Sequence, residues 1–392
     1  MEIWKRNLLI CCVTSFIVSL GMSQLAPMLP LYVASMGITK VQEIERWSGI
    51  IFGSNFITLA IFSPIWGRMS DKYGRKPMTL RATSWLAVIM IGMGLAHNVY
   101  QLAGLRFIQG ALSGYQAAII PLIAQSTPAA RSGWAMGMFF TSQVSGTLLG
   151  PVLGGWMSEV LGFRPMFFCM AGLCLAGFCA LLFLKEDFHP QPQALTLTLK
   201  DTFHKLPQPK LILGLAVTTF LLQFSLMSIE PIITVYIGQL VQNSDHIALI
   251  AGVVFSCSGF ASMLTASRIG KLGDRIGSQK ILLGSLLLGA VSFIPQGYVT
   301  SPWQLGFLRF LLGIATAGLM PSVNNLIRQN VPSLCLGRIY GFNQSAQFIG
   351  MFTGAFAGGN IAAVLGIQNL FLLTAVLLFL NAAWCRVTVC KA

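Results

Sequence analysis

GRMSDKYGRK, residues 67–76, carries five charged side chains in ten positions, in a 392-residue chain of which only 9% is charged. A related stretch, GKLGDRIGSQK, occupies residues 270–280. Asp71 in the first precedes Asp274 in the second by 203 residues, and the same interval separates Arg106 in LRFIQG from Arg309 in LRFLLG. At an interval of 204, Pro27 and Tyr32 match Pro231 and Tyr236. Gly146, Gly150, Gly154 and Gly155 match Gly350, Gly354, Gly358 and Gly359 at that same interval. A near-constant offset across so many landmarks marks two copies of one half.

The material between the landmarks is apolar. The chain is 55% hydrophobic, with a mean hydropathy of +0.74. Soluble domains carry about 25% charged residues, so this chain cannot clothe a water-facing surface. Stretches long enough to cross a bilayer, roughly 20 residues each, recur from end to end. We read twelve, near 8–35, 47–66, 78–97, 102–125, 134–160, 165–184, 211–238, 247–267, 280–298, 303–327, 338–364 and 367–385. The fold class expected is therefore an all-α membrane protein of two six-helix bundles.

Of the 25 lysines and arginines, twenty fall in loops or ends on one side; Lys40, Arg46 and Arg164 lie opposite, and Arg106 and Arg309 sit within spans. Cytoplasmic loops carry the Lys/Arg excess, which places both termini in the cytoplasm. The net charge of +14 then reflects topology and anionic lipid headgroups, with no nucleic acid required. Lys5-Arg6 before LLICCVTSFIVSL has the look of a secretory leader, yet no small-residue cleavage site follows, so we read a retained first helix. No pair of the nine cysteines shares an outer loop, so no disulfide framework is expected. The chain shows no metal-ligand spacing, nucleophile motif or phosphate-cradling loop, and neither an enzyme nor a cofactor is expected.

Each copy holds six spans and starts on the same side, so the repeats are parallel. Residues 1–184 form the first bundle, 185–210 a polar, Pro-rich cytoplasmic linker, and 211–392 the second bundle. A short amphipathic helix at 197–205 and a plain tether are both open readings of the linker. Two parallel bundles with a seam between them suit alternating access, the working mode of a secondary transporter. A channel or a receptor fits this design less well.

The motifs resemble those of the major facilitator superfamily: GRMSDKYGRK its signature loop between spans 2 and 3, and LRFIQG its span 4 motif. GTLLGPVLGG, residues 146–155, resembles the span 5 motif of its twelve-span drug–proton antiporters. The resemblance implies a proton-driven exporter of drug-like or amphiphilic molecules in the bacterial inner membrane, working as a monomer on small molecules and protons within the lipid bilayer. It also implies a cytoplasmic latch built from Gly67, Asp71, Gly74 and Arg75, with a second copy at Asp274. Gly67 and Gly74 are expected to bracket a tight turn, where glycine relieves strain. Gly146, Gly150 and Gly154 share a helix face that lets a neighbour approach closely, Gly155 lies beside it, and Pro151 should bend the span.

Among the eleven acids, Glu230 alone lies well inside a predicted span; the others fall in loops or at membrane borders. An ionisable group at membrane depth is a functional candidate by default, so Glu230 is read as a proton-coupling residue, and Asp71 on the latch as a second. Arg309 lies at about the same depth, within about 3 Å at 1.5 Å per residue, and can pair with Glu230 in one state. The position equivalent to Glu230 in the first half is Ala26, which leaves Arg106 to find carbonyls, water or an anionic substrate. The embedded charge of +1 favours anionic, zwitterionic or neutral amphiphiles. Gln24, Gln109, Gln116, Gln223, Asn324 and Asn325 on spans 1, 4, 7 and 10, with Gln143, Asn343 and Gln347 on spans 5 and 11, are further substrate-contact candidates. Each can equally serve as interhelical glue. The alternative function is a dedicated carrier, in either direction, of a siderophore or iron-chelating organic acid.

Overall fold

The structure, a computed structural model, describes residues 2–128, 131–186, 206–241, 246–332 and 335–389, without the side chain of Asp71. Asp187, Asp201 and Asp245 and most of the linker, including 197–205 with its two open readings, lie outside the described residues.

All twelve predicted spans are helical. The first is α1 (Ile3–Ser23) with α2 (Leu25–Ser35), followed by α3 (Val41–Tyr73) and α4 (Arg75–Leu95). The fourth is α5 (Val99–Leu112) with α6 (Tyr115–Ser126), and α7 (Ser132–Val160) and α8 (Phe163–Leu182) complete the first half. The second half runs α9 (Pro209–Ile229) with α10 (Ile233–Leu240), α11 (Ile247–Ile276), α12 (Ser278–Gln296), α13 (Pro302–Asn330), α14 (Leu336–Leu365) and α15 (Ile367–Thr388). Among the described residues, eleven of these spans are both long and apolar enough to cross a membrane. The twelfth, α7, has the length, but its Gly, Ser and Thr dilute its hydropathy. Burial is that of a protein in lipid. Phe307, Leu95 and Leu380 are exposed, while Asn7, Thr14, Gln24 and Asn381 are buried.

Glycine makes this packing possible. A side-chain carbon on Gly146 would collide with the Phe16 carbonyl, and on Gly150 with the Leu20 carbonyl; on Gly154 it would meet Gln24. These three fasten α7 to α1. On α14, Gly350, Gly354 and Gly358 meet Phe220, Phe224 and Ser228 of α9 in the same way. Each partner in the second half lies 204 residues after its equivalent, so the repeat holds contact by contact. Backbone conformation repeats too. Gly74 and Gly277 have φ of 98° and 95°, and Gly162 and Gly366 have φ of 87° and 85°. With ψ near 150°, this region is open essentially to glycine alone.

The halves differ where their spans break. Pro27 and Pro231 each clash with the carbonyl four residues back, and spans 1 and 7 break beside them, at Gln24 and at Glu230–Ile232. Span 4 breaks at Ser113–Gly114, where Gly114 has φ 119°. The carbonyls freed there are satisfied by neighbours: Trp66 Nε1 donates to Ala111 O at 2.6 Å and Arg81 Nη2 to Ser113 O at 2.8 Å. The Arg81 guanidinium lies 3.2 Å from the Trp66 ring centre. In α13 the position equivalent to Gly114 is Ala317, for which positive φ is costly, and that helix runs unbroken.

The chain divides into two compact units. One comprises Met1–Gly37, Ser54–Ala194 and Ala248–Gly252; the other comprises Ile38–Gly53, Leu195–Ile247 and Val253–Ala392.

Candidate functional site

In the first unit the side chains of α5 and α1 converge. Arg106 is 2% exposed, and its Nη1 donates to Gln109 Oε1 at 2.7 Å. Gln109 Nε2 in turn reaches Met22 Sδ at 3.1 Å. A buried cation needs such a partner, because desolvation without one is expensive. Gln24, two residues beyond Met22, is fully buried, and neither amide atom has a partner among the described residues. Its side chain is seated against Gly154, which ties the α1 break to the glycine face of α7. Gln143 is half-buried and Gln116 exposed. Nearby, α1 and α7 line an open groove of about 620 Å³ through Phe16, Trp134, Met138, Thr141, Ser142 and Ser145.

In the second unit, Glu230 closes α9 at its break, and Arg309 is buried on α13. The two are within electrostatic reach of each other, yet no ion pair joins them among the described residues. Arg309 sits 6.0 Å from the Phe293 ring centre, and its Nε and Nη2 find no partner among those residues. Gln223 is buried against Gly350. Asn343 Oδ1 accepts from Thr219 Oγ1 at 2.9 Å, and Asn325 Nδ2 donates to Ser278 Oγ at 2.7 Å. Both asparagines therefore join helices here. Gln347 is half-buried and Asn324 exposed.

The charged loop at residues 67–76 needs one correction. Gly67 does not bracket a turn: α3 continues as helix through GRMSDKY to Tyr73, and the chain reverses at Gly74 alone. Arg, Met, Asp and Lys sustain a helix there, and no residue before Gly74 requires positive φ. The Asp71 side chain lies outside the described residues, and Asp274 is exposed. A connection the sequence did not reveal holds the start of α4. Glu186 accepts from the backbone N–H groups of Arg75 and Lys76 at 2.8 and 2.7 Å, a carboxylate placed where a helix N-terminus favours one. Lys76 Nζ returns bonds to the carbonyls of Leu182 and Leu184.

One acid gains a structural setting. Glu45, expected at a membrane border, lies near the start of α3 and is 3% exposed. The helix begins at Val41, six residues before the apolar run that marked the span.

Comparison with known proteins agrees with this architecture. The family model described as Major Facilitator Superfamily matches residues 11–268 and 215–389. The chain is 42% identical to a "Multidrug resistance protein MdtG" of Enterobacter lignolyticus over 97% of its own length and 91% of that protein. It is 40% identical to the protein of the same name from Serratia proteamaculans, over 97% and 94%. Among solved structures, a mutant of the nucleoside transporter NupG superposes with a TM-score of 0.80 at 14% identity, covering 98% of this chain and 100% of that one.

Proposed function

The chain belongs to the major facilitator superfamily and is a multi-pass secondary transporter with the twelve-helix fold of that family; from this premise we propose that it exports drug-like amphiphiles in exchange for protons. The single observation that carries the proton half is Glu230, a carboxyl at a helix break inside the membrane, within reach of Arg309 and not paired with it. Loading a proton on Glu230 weakens its hold on Arg309, and losing it restores that hold. This gives the C-terminal half two arrangements that protonation selects. The export half rests on the multidrug-resistance names of the relatives and on the GTLLGPVLGG glycine face. Siderophore carriage has no support among those relatives.

In this reading residues 1–184 and 211–392 act as the two rocking bundles, with the linker and both termini in the cytoplasm of a bacterial inner membrane. Asp71 and Arg75 grip and release at the latch. Arg106, Gln109 and Gln24 line the substrate path of one half, and Arg309 and Gln223 that of the other. One charge falling through 100 mV releases about 2.3 kcal/mol, worth between one and two decades of gradient at about 1.4 kcal/mol per decade. The protonmotive force is thus an adequate source of energy.

The test is transport in proteoliposomes with ethidium and a zwitterionic fluoroquinolone as probes. An imposed pH gradient should drive uphill movement by the unaltered protein. Glu230→Gln should lose the gradient response at least tenfold while keeping downhill exchange. Unchanged gradient-driven transport in that variant would remove Glu230 from the mechanism.

A further inference from the structure

Two helix crossings in this structure are copies of one another. In the first, Gly155 of α7 lies so near the Ala248 carbonyl of α11 that no side-chain carbon would fit, and Gly252 of α11 meets the Pro151 carbonyl in return. In the second, Gly359 of α14 meets the Glu45 carbonyl of α3, and Gly49 of α3 meets the Ala355 carbonyl. Gly49 and Gly252, like Glu45 and Ala248, are 203 residues apart; Pro151 and Ala355, like Gly155 and Gly359, are 204 apart. Each crossing lies within one compact unit. The backbones interlock in the same way, so side chains at equivalent positions can be compared one for one.

On α11 those positions hold Ala248 and Ala251, 4% and 0% exposed. On α3 they hold Glu45 and Ser48, 3% and 0% exposed. At these positions two alanines are enough, the first crossing carrying its carboxyl on the opposite helix, where Glu159 of α7 accepts from the Leu249 N–H at 2.9 Å; α3 has a carboxyl and a hydroxyl in the alanines' place. The Glu45 carboxyl makes no hydrogen bond or ion pair with any described residue, and Ser48 Oγ has no partner among them.

The charged groups around Glu45 are few. On its own helix, Glu43 and Arg46 are exposed, and Lys40 is paired with Glu43 at 3.3 Å. The length of α14 that faces it, residues 350–365, contains no titratable side chain. On the helix that packs on α14 through Ser228, α9, the titratable group beyond that contact is its capping residue Glu230. A carboxylate taken out of water with no counter-charge is far costlier than the neutral acid.

We propose that Glu45 is a proton-binding site on the crossing of α3 and α14, distinct from the transport carboxyl: the closed crossing holds the neutral acid, and separation into water releases its proton. The proposal rests on the alternating-access reading, in which these extracytoplasmic helix ends must part. The sign follows from linkage. The closed state binds the extra proton, so acid favours closure and rising pH favours opening, by up to about tenfold in the closed-to-open ratio per pH unit. In an exporter that faces an acidic exterior, a proton arriving from outside closes the crossing behind the departing substrate. Glu45 thus biases the gate, while the energy of transport is coupled elsewhere.

Amide hydrogen exchange of the full-length protein in nanodiscs, corrected for chemical exchange rates, tests this between pH 6 and pH 8. Peptides covering 41–53 and 350–365 report on the crossing, and those covering 148–160 and 247–256 on its alanine twin. The first pair should lose about tenfold or more of its protection at pH 8 relative to the twin. Glu45→Gln and Glu45→Ala should each keep the pH 6 protection throughout. The alanine variant should fold, since Ala248 fills the equivalent place. A crossing whose protection does not change with pH relative to the twin, or a change that survives in both variants, overturns the proposal. Ethidium efflux measured on the same preparations separates the two readings. Efflux without pH-dependent opening leaves the transporter and removes the gate site; Glu45-dependent opening without efflux of any probe does the reverse.

Discussion

Arg106 illustrates what a buried cation requires. Its hydrogen bond to Gln109 satisfies one of its nitrogens and fixes the guanidinium on α5, beside the break in α1. A guanidinium fixed in this way keeps the planar fork geometry that suits carboxylates. Arg106→Ala should therefore abolish the thermal stabilisation of purified protein by carboxylated amphiphiles while leaving that by lipophilic cations. A ligand at a hundred times its Kd stabilises by about 2.7 kcal/mol, so the loss is readable in a melting panel. Equal loss for both ligand classes would make Arg106 a packing residue. The sequence pointed to Arg106, Arg309 and Glu230 because charge inside an apolar run is conspicuous. It could not point to Glu45, whose burial depends on a missing side chain at Gly359, on a helix 314 residues away. It also could not separate Asn343 and Asn325, which bond to neighbouring helices, from Gln24, which finds no partner among the described residues.

At the scale of the helix, glycine acts in opposite ways according to what faces it. Gly358 lies against the Ser228 carbonyl, whereas Gly172, in the exposed face of α8, has nothing within 4 Å. Gly358→Ala should lower stability by about 1–3 kcal/mol, the usual effect of overpacking. Gly172→Ala should raise it by up to about 1 kcal/mol through helix propensity. Thermal melts of the two variants in one detergent check both signs. All twelve spans were legible as apolar runs, although several starts were drawn late because helices such as α3 begin in polar sequence. The breaks at Gln24 and Glu230–Ile232 had a sequence signal in Pro27 and Pro231. The break at Gly114 had only a glycine, and the Trp66 and Arg81 groups that satisfy its carbonyls come from two other helices.

At the scale of the whole chain, the lysine and arginine distribution makes an orientation testable. A cysteine placed at Asn98 or Thr300, in the short loops after α4 and α12, should react with a membrane-impermeant thiol reagent added to intact cells. One placed at Glu2 or Glu186 should not, until the cells are opened. The reverse pattern would invert the topology and move Glu45 to the cytoplasmic face. The parallel repeat was the most secure sequence inference, and it extends to backbone angles and to the carbonyl that each motif glycine meets. Each half also returns to where it began. Asn7, near the start of the first, exchanges two hydrogen bonds with the backbone of Lys185 at its end. In the second, Trp384 Nε1 donates to the Gly214 carbonyl, and Asn381 Nδ2 to that of Thr218. A half whose first and last helices are stitched together on one side of the membrane is topologically a closed ring. An ancestral gene encoding one such ring could be doubled in tandem and joined by any tether of modest length, with no helix rethreaded and no loop crossing the bilayer. The two copies now differ at single positions, with Ala248 at one crossing where Glu45 stands at the other.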